Sequence, residues 1–302
     1  MHIGILTSRG LNYHPNRRIS EAADELGHKA SLVDPRGCGP AIRQGRMSLM
    51  LPAGMDQPEV FLPRSGATIK DFTLTVVQHL ERMGVPVING YQSILLARNQ
   101  FLSLQSLIAD GLPVPDSYNI VDHESFQSAV AKLGGYPVVL KTTNSRQGLG
   151  VVLVDSSLTA EFLLNNLEHH GLGLVVQEYI EPRKRKDIRV FVLGDQIAAA
   201  MELTPGKGDF RTNIHLNSQA KAVDLNRELA QLAIRSAAVL GLEISGIDII
   251  VDAGGEPKVI EVNYSPGFQG LEAATDIDIA SAIVRYVTNR DGETYGNSVF
   301  DG

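Results

Sequence analysis

The chain has 302 residues, of which 43% are hydrophobic and 20% charged, a composition typical of a folded protein with two or three subdomains. Its formal net charge of −7 argues against a general nucleic-acid-binding surface, which normally requires an excess of basic residues. The single cysteine, Cys38, excludes an intrachain disulfide, and the sequence contains no cysteine pattern of a zinc site.

The hydropathy of the chain bears on its location in the cell. The N-terminal stretch MHIGILTSRG contains too short an apolar run for a signal peptide. No segment approaches the roughly 20 apolar residues that are needed to cross a bilayer. We therefore expect a cytoplasmic protein that has no membrane-spanning segment.

Residues 1–90 alternate between strand and helix patterns. Strands are predicted at HIGILT, KASLVD, EVFLP and PVIN, and helices at RRISEAADELG and DFTLTVVQHLERMG. This alternation predicts an α/β domain in which helices cover a parallel sheet. A dinucleotide-binding fold is disfavoured, because no G-x-G-x-x-G follows the first strand.

The pattern changes to α+β units after residue 90. In residues 91–180, helices are predicted at QFLSLQSLIADG, HESFQSAVAKLG and SLTAEFLLNNLEHHG, and strands at PVVLK, VVLV and LVVQEYI, with the loop TTNSRQGLG between the first two strands. Residues 181–290 contain the strand pair DIRVFVLGDQIAAAMEL, a polar loop, the helix LNRELAQLAIRSAAVLG, an acidic hairpin and the helix DIASAIVRYVTN. Residues 291–302 are predicted to form a flexible tail.

The acidic hairpin lies in GIDIIVDAGGEPKVIEVN, where two β-rich runs flank a Gly-Gly pair. If the turn is centred between Gly254 and Gly255, Asp248 lies directly opposite Glu261, and Asn263 lies on the same face as Glu261. Opposed carboxylates repel each other unless a cation intervenes, and Mg²⁺ prefers carboxylate and amide oxygens. The three residues are therefore candidate metal ligands. The alternative is that they are half-exposed strand residues in a different register.

Two segments of the chain carry weaker signals for a phosphate ligand. Lys141 ends a strand beside a glycine-containing loop, from which a lysine and free N–H groups can reach phosphate oxygens, although an ordinary hairpin has the same pattern. KGDFRTNIH places polar residues at every second position, which would form a polar row in an extended segment and means nothing in a random loop.

The segment VVQEYIEPRKRKDIRVFV crosses between two predicted subdomains. Clefts between subdomains are where small ligands usually bind, although the segment also fits a plain linker. Its basic run PRKRK, residues 182–186, indicates either a solvated loop or a rim of positive charge beside an anionic ligand.

Taken in this order, the motifs resemble the ATP-grasp ligases, and most closely the RimK type, which adds glutamate to the C-terminus of a ribosomal protein. The resemblance covers almost the whole chain and rests on GILTSRG, LPRSG, YPVVLKTTNSRQGLGVVLV, VQEYIE, DIRVFVLGD, GDFRTNIH, GIDII and VIEVNYSPGFQGLE. It implies an ATP-grasp fold of two α+β lobes, residues 91–180 and 181–290, with an N-terminal pre-ATP-grasp α/β domain, residues 1–90.

The resemblance also implies roles for particular residues. ATP would lie between the lobes, and Arg211 and Asn213 would approach its terminal phosphates and the acyl intermediate. Asp248, Glu261 and Asn263 would bind two Mg²⁺ or Mn²⁺ ions. The residues implied to hold ATP are Gln100, Lys141, Ser145, Gln147, Gly148, Gly150, Glu178, Tyr179, Ile180, Asp187 and Arg189.

The implied reaction forms an amide. ATP would activate a carboxylate as an acyl phosphate, and an amine would then displace phosphate. The implied partners are ATP, an amino acid such as glutamate, and a carboxylate acceptor, for instance a protein C-terminus; a homo-oligomer is expected because related enzymes often form one. Two alternatives are a nucleotide-binding regulatory protein with the same fold and little turnover, and a kinase-like phosphoryl transfer without an amine step.

Three places depart from the RimK pattern. RimK has a lysine where this chain has Gln100, basic residues at Leu203 and Thr204, and Arg-Gly-Gly at residues 216–218. Each departure removes positive charge or backbone flexibility near the phosphates or the acceptor. The resemblance therefore leaves the substrates open.

Overall fold

The computed structural model describes residues 1–66, 69–146, 149–166, 173–204 and 219–289, without the side chains of residues 143–146, 149, 166 and 184. Packing of the Cα atoms separates two units. The first consists of Met1–Ser65, Ile69–Gly90 and the segment from Ile277, and the second is mainly Tyr91–Asp276. The division at residues 90, 180 and 290 that we drew from the sequence stays a prediction, and the predicted tail lies outside the described residues.

The first unit is built on a parallel sheet, as predicted. Its strands and helices are β1 (His2–Leu6), α1 (His14–Glu25), β2 (Lys29–Val33), β3 (Gly39–Arg43), β4 (Arg46–Met50), β5 (Val60–Pro63), α2 (Asp71–Arg82) and α9 (Ile279–Thr288). The strand order is β2-β1-β5. The apolar residues of β1, Ile3, Ile5 and Leu6, are fully buried, and β1 is the central strand of this sheet.

One prediction for the first unit was wrong in detail, and one element was missed. The strand predicted at PVIN is reduced to one parallel bridge between Val87 and Phe61. The antiparallel hairpin β3–β4 was not predicted. Its two-residue turn, Gln44 and Gly45, has positive φ at both positions, 52° and 72°, and glutamine there lacks the usual Asn-Gly or Asp-Gly signature.

The second unit contains two antiparallel sheets. Its elements are α3 (Tyr91–Ala97), α4 (Gln100–Ala109), β6 (Ser117–Ile120), α5 (His123–Lys132), β7 (Val138–Arg146), β8 (Leu149–Val154), α6 (Ser157–Asn166), β9 (Leu174–Glu178), β10 (Lys186–Leu193), β11 (Gln196–Thr204), β12 (Gln219–Ala222), α7 (Arg227–Val239), β13 (Ile244–Val251), β14 (Pro257–Asn263) and α8 (Gln269–Thr275). The strand orders are β6-β9-β7-β8 and β12-β11-β10-β13-β14.

The four-stranded sheet packs against α5 and α6. Phe126, Ala129 and Leu164 from these helices meet Val138 and Val176 from the sheet in one apolar cluster. Reciprocal capping between Asp122 and Ser125 fixes the start of α5, because it satisfies N–H groups that have no partner inside the helix. The result is a rigid support for the ends of β7 and β9.

The loop predicted at TTNSRQGLG is largely strand. β7 continues to Arg146 and β8 begins at Leu149, and these two residues pair with each other. A register shift separates this outer pair from the pair of Lys141 with Val151. The described residues of this segment therefore extend the β7–β8 pairing beyond Lys141.

The hairpin β13–β14 has the predicted pairing of Asp248 with Glu261. Next to the turn the register differs from the prediction by one residue, since Val251 pairs with Pro257. A β-bulge between Asp248 and Ile249 restores the predicted register beyond it. The bulge therefore decides that the two carboxylates share a face.

Candidate active site

The acidic hairpin brings three oxygen-bearing side chains together. Asp248 on β13 lies opposite Glu261 on β14, and Asn263 Nδ2 donates a hydrogen bond of 3.5 Å to Asp248 Oδ2. Burial, and then the charge of Asp248, raise the pKa of Glu261 above its ordinary value. Negative charge is therefore crowded on this patch in partly buried surroundings.

Arg189 on β10 forms an ion pair with Asp248 on β13. The two residues pair across β10 and β13, and Arg189 Nε and Nη2 donate to Asp248 Oδ1 and Oδ2 over 2.7 and 2.5 Å. Burial lowers the pKa of Arg189, but the charge and hydrogen bonds of Asp248 outweigh it, and the net shift is upward. This two-bond pair fixes the orientation of the carboxylate.

The chemistry of this patch fits Mg²⁺. Within the described ranges no three His, Cys, Asp or Glu side chains are grouped as a metal site, and the set here is two carboxylates and one amide. These are the hard oxygen donors that Mg²⁺ prefers, and a divalent cation would relieve the repulsion that raises the pKa of Glu261. The role of Asp248, Glu261 and Asn263 as ligands stays a prediction.

Lys141 is a buried cation in the same unit. Its residue is 6% exposed, and its Nζ donates to Gln177 Oε1 over 2.6 Å. Gln177 Nε2 in turn donates to Ser117 Oγ over 2.9 Å. Burial lowers the pKa of Lys141 to about 8; Glu261 and Asp248 oppose this shift, and Arg185 adds to it. The ammonium group therefore lies within electrostatic range of the acidic hairpin.

Gln177 is a site residue that our sequence reasoning missed. It is 3% exposed and lies in the apolar strand β9, where it orients Lys141. A signal was present, because a polar side chain inside an apolar strand is the same anomaly that marked Glu261.

The crossover after β9 is anchored by hydrogen bonds to the Glu178 carboxylate. Its Oε1 accepts a hydrogen bond of 2.9 Å from the Asp116 amide and one of 2.5 Å from Lys258 Nζ on β14. Tyr179 and Ile180 follow it and are half-buried. The carboxylate of Glu178 is therefore engaged with protein groups. Lys258 was not predicted from the sequence.

Asp187 is held by a residue that the sequence did not mark individually. Arg185 Nε and Nη2 donate to Asp187 Oδ1 and Oδ2 over 2.7 and 2.9 Å, and Arg185 Nη1 donates to the Ile180 carbonyl over 2.5 Å. Both charged side chains are 7% exposed. The basic run PRKRK is therefore only in part a solvated loop.

Gln100 begins α4 and points towards the acidic hairpin. Its Nε2 donates to the Ile260 carbonyl over 3.4 Å, at the bulge next to Glu261. Its Oε1 is buried and makes no hydrogen bond within the described part of the chain. Leu203, at a second departure from the RimK pattern, is buried opposite Asp187, while Thr204 is exposed.

The remaining predicted residues are only partly described. The backbone of Ser145 belongs to β7, and Gly150, in β8, is exposed with a φ of 103°. Gln147, Gly148, Arg211 and Asn213 lie outside the described residues. The structure brings together Gln100, Lys141, Arg189, Asp248, Glu261 and Asn263, and it joins Ile180 to Asp187 through Arg185.

Comparison with protein families covers nearly the whole chain. The RimK-like ATP-grasp domain matches residues 97–287, and the RimK pre-ATP-grasp domain matches residues 1–94. A curated protein of Chromohalobacter salexigens, named "Probable alpha-L-glutamate ligase", is 35% identical over 288 residues, which cover 95% of each chain.

Solved structures share the fold. A RimK domain ATP-grasp protein from Sphaerobacter thermophilus is 26% identical, with a TM-score of 0.73 over 95% of this chain and 99% of that one. The ATP-grasp ligase PsnB, complexed with a phosphomimetic variant of its minimal precursor, Mg and ADP, is 18% identical, with a TM-score of 0.72 over 96% of this chain and 98% of that one. At that identity the second likeness shows the fold alone.

These matches bear on the regulatory alternative. They do not favour a regulatory protein without turnover, since the curated relative is named as a ligase and both family domains are present. The fold is an ATP-grasp fold of two α+β lobes, together with an N-terminal parallel-sheet domain. In the described part of the chain, no helix is long and apolar enough to span a bilayer. The chain belongs to the RimK-like ATP-grasp family and is an ATP-dependent ligase that joins a carboxylate to an amine, in a family that uses ATP with Mg²⁺.

Proposed function

We propose that this ligase adds an amino acid, glutamate, to the free carboxylate of a peptide or protein acceptor. The proposal is supported by the name of the glutamate ligase from Chromohalobacter salexigens and by the precursor bound in the PsnB structure. The observation that carries it is the cluster of two cations, Lys141 and Arg189, beside the carboxylates of Asp248 and Glu261. Such a cluster suits a reaction between anions.

The nucleotide would use both sheets of the second unit. Lys141 would contact phosphate oxygens, and backbone groups of Glu178, Tyr179 and Ile180 would hold adenine. Asp187 would accept from the ribose, with Arg189 nearby. Gln100 would donate a neutral hydrogen bond near the phosphates. The segment that would cover the phosphates contains Ser145, Gln147, Gly148 and Gly150.

The metal would bind at the hairpin. Asp248, Glu261 and Asn263 would hold two Mg²⁺ ions, or Mn²⁺, which when bound neutralise phosphate charge. Arg189 keeps the Asp248 carboxylate oriented through its two hydrogen bonds. A cytoplasmic location and a homo-oligomeric assembly, both expected from the sequence, stay predictions.

The first chemical step brings two anions together, so positive charge in the site must offset their repulsion. The acceptor carboxylate attacks the γ-phosphate of ATP and forms an acyl phosphate and ADP; the amine then attacks the acyl carbon and releases phosphate. Lys141 would stabilise charge on the phosphoryl group in a buried site, where such contacts are stronger than in water. Arg211 and Asn213 would act on the terminal phosphate and the acyl intermediate. The segment of residues 143–150 would exclude water from the acyl phosphate.

The test is a product analysis. The protein is incubated with ATP, Mg²⁺, each of the amino acids and a peptide that has a free C-terminal carboxylate; the same peptide with an amidated C-terminus is the control. We expect ADP formation and a glutamyl mass gain that requires both glutamate and the free carboxylate. A product with another amino acid only would overturn the choice of glutamate. A phosphorylated product without an amide would support the kinase-like alternative instead.

A further inference from the structure

The basic run PRKRK contains two arginines in opposite surroundings. Arg183 has a side chain that is 89% exposed, and its Nε lies 3.9 Å from Glu181 Oε1. Arg185 has a side chain that is 7% exposed. The two residues belong to the same short connection between β9 and β10, so one faces solvent and the other faces the interior. Arg183 contributes the solvated charge that the sequence predicts, whereas Arg185 does not.

Arg185 joins the two ends of this connection. It donates to the Ile180 carbonyl at the start and to both oxygens of the Asp187 carboxylate at the end. Between them lies a short 3₁₀ turn, Pro182–Lys184. One guanidinium group therefore sets the separation of a backbone acceptor and a side-chain acceptor.

The contact with Asp187 is of a kind that persists when a ligand binds. Asp187 is 5% exposed, and a buried carboxylate that loses its cation is strongly destabilised. A nucleotide that displaced Arg185 would have to compensate for the lost ion pair with Asp187. Its phosphates could not do so, because they are themselves anionic. The planar guanidinium fork also matches the two carboxylate oxygens, which a lysine ammonium group cannot do. Arg185 therefore stays in the site when a nucleotide binds and is not displaced by it.

We propose that Arg185 is a nucleoside-positioning residue, which holds the Ile180 carbonyl and the Asp187 carboxylate in place so that adenine and ribose meet two preformed acceptors. The inference rests on the proposed roles of Ile180 and Asp187 in ATP binding. It assigns Arg185 to the nucleoside half of the site, because its hydrogen bonds to Ile180 and Asp187 lie on the groups proposed to hold adenine and ribose. Preformed acceptors increase affinity because less order has to be created on binding.

The test separates nucleoside recognition from phosphate recognition. Dissociation constants of the full chain for ATP and GTP are measured by calorimetry with Mg²⁺, and inorganic tripolyphosphate is measured as a competitor of ATP. The variants are Arg185→Lys and Arg185→Met, with Arg183→Met as the matched control from the same loop. We expect Arg185→Met to weaken ATP binding about tenfold or more and to reduce the preference for ATP over GTP, with tripolyphosphate inhibition unchanged. Arg183→Met should leave all three constants unchanged.

Arg185→Lys keeps the inference testable if Arg185→Met fails to fold. It retains a cation beside Asp187 but loses the fork, so we expect native thermal stability with reduced ATP affinity. An equal loss for ATP, GTP and tripolyphosphate would indicate a general structural role and overturn the inference, as would unchanged or tighter ATP binding. Failure of the wild-type chain to bind ATP would overturn the proposed function itself, and the inference with it.

Discussion

Lys141 shows how its surroundings tune one residue for an anionic ligand. Burial removes its ammonium group from water, and a hydrogen bond to Gln177 orients it. The nearby charges of Glu261 and Asp248 keep the proton bound, while Arg185 favours its loss. The balance leaves a lysine that carries charge at neutral pH and has much to gain from a phosphate.

Replacement of Lys141 measures that gain. Lys141→Met removes the charge and keeps most of the side-chain volume, so we expect ATP binding to weaken by roughly 1.5 to 3 kcal/mol, the usual worth of a charged hydrogen bond. Calorimetry at pH 7 gives the value, with Lys132→Met, an exposed lysine on α5, as the control. Unchanged affinity would mean that Lys141 is structural.

The pKa of Lys141 predicts how ATP affinity depends on pH. The pKa is lowered to about 8, so the charged form is present below that pH and lost above it. Because phosphate favours the charged form, wild-type affinity should be steady below pH 8 and should fall as the pH rises further, by up to about tenfold per unit. Lys141→Met should lack this decline between pH 7 and 10. The same slope in both proteins would assign the titration to another group.

Replacement of Gln100 tests the same site with an expected gain in ATP affinity instead of a loss. Its side chain reaches the bulge beside Glu261, and charged hydrogen bonds are about twice as strong as neutral ones. We expect Gln100→Lys to tighten ATP binding, whereas Gln127→Lys, on the exposed face of α5, should not. Weaker or equal binding by Gln100→Lys would show that this helix start does not serve the phosphates.

Residues of the site differ in how visible they are in the sequence. Glu261 was found because a carboxylate in an apolar strand needs a partner. Gln177 is likewise a polar residue in an apolar strand. Arg185 could not be found this way, because charge pattern alone does not tell which of several adjacent basic residues turns inward. Its burial follows from the folded path between Ile180 and Asp187, and those contacts exist only in the tertiary structure.

At the scale of elements, the hairpin β13–β14 governs the acidic patch. A strand register that slips by one residue moves side chains to the other face, so the bulge beside Asp248 is as important as the acidic residues themselves. The sequence predicted the pairing from a symmetric turn, whereas the structure reaches it through a displaced turn and a bulge. Register near turns depends on backbone conformation that composition does not specify.

Glu261→Gln tests the hairpin without changing its shape. The amide removes one negative charge and relieves the repulsion from Asp248, so the fold should be retained or slightly stabilised. ADP formation should be abolished, because a metal ligand loses its charge. Circular dichroism and thermal unfolding serve as the control for folding. Wild-type rates of ADP release by this variant would refute the metal assignment.

Elements with strong periodicity were predicted well and short ones were not. Helices α1, α2, α5 and α7 match their apolar patterns because each buries one face. The short elements α3, α8 and β12 were missed, since four to seven residues contain no more than two repeats of the strand or helix pattern. Their existence depends on the surfaces against which they pack.

At the scale of the whole molecule, α9, the last helix among the described residues, belongs with the first unit. α9 packs on α1, and Arg18 Nη2 donates to Asp278 Oδ1 over 3.0 Å. Five residues of α9 are at most 1% exposed: Ile279, Ala280, Ile283, Val284 and Val287. The first unit therefore draws its core from both ends of the described chain.

The single cysteine allows this unit to be monitored alone. Cys38 is 4% exposed, and burial, with Asp34, raises the pKa of its thiol to about 11, so labelling requires opening of the unit. Ile283→Ala should destabilise the unit by about 2 to 5 kcal/mol and speed the reaction of Cys38 with a disulfide reagent. Leu164→Ala, a similar truncation in the second unit, should leave that rate unchanged. Equal acceleration by both variants would show that the units open together.

The position of α9 also bears on how the chain folds during synthesis. A ribosome completes residues 91–276 before it makes the helix that covers α1. Until then the apolar face of α1, with Ile19, Ala22 and Ala23, has no α9 to cover it, and nascent chains with such exposed faces are prone to aggregate. Residues 91–276 can fold as an uninterrupted segment, whereas the first unit must wait until α9 has been made. The second unit then completes its folding before the first, although the first unit begins earlier in the chain.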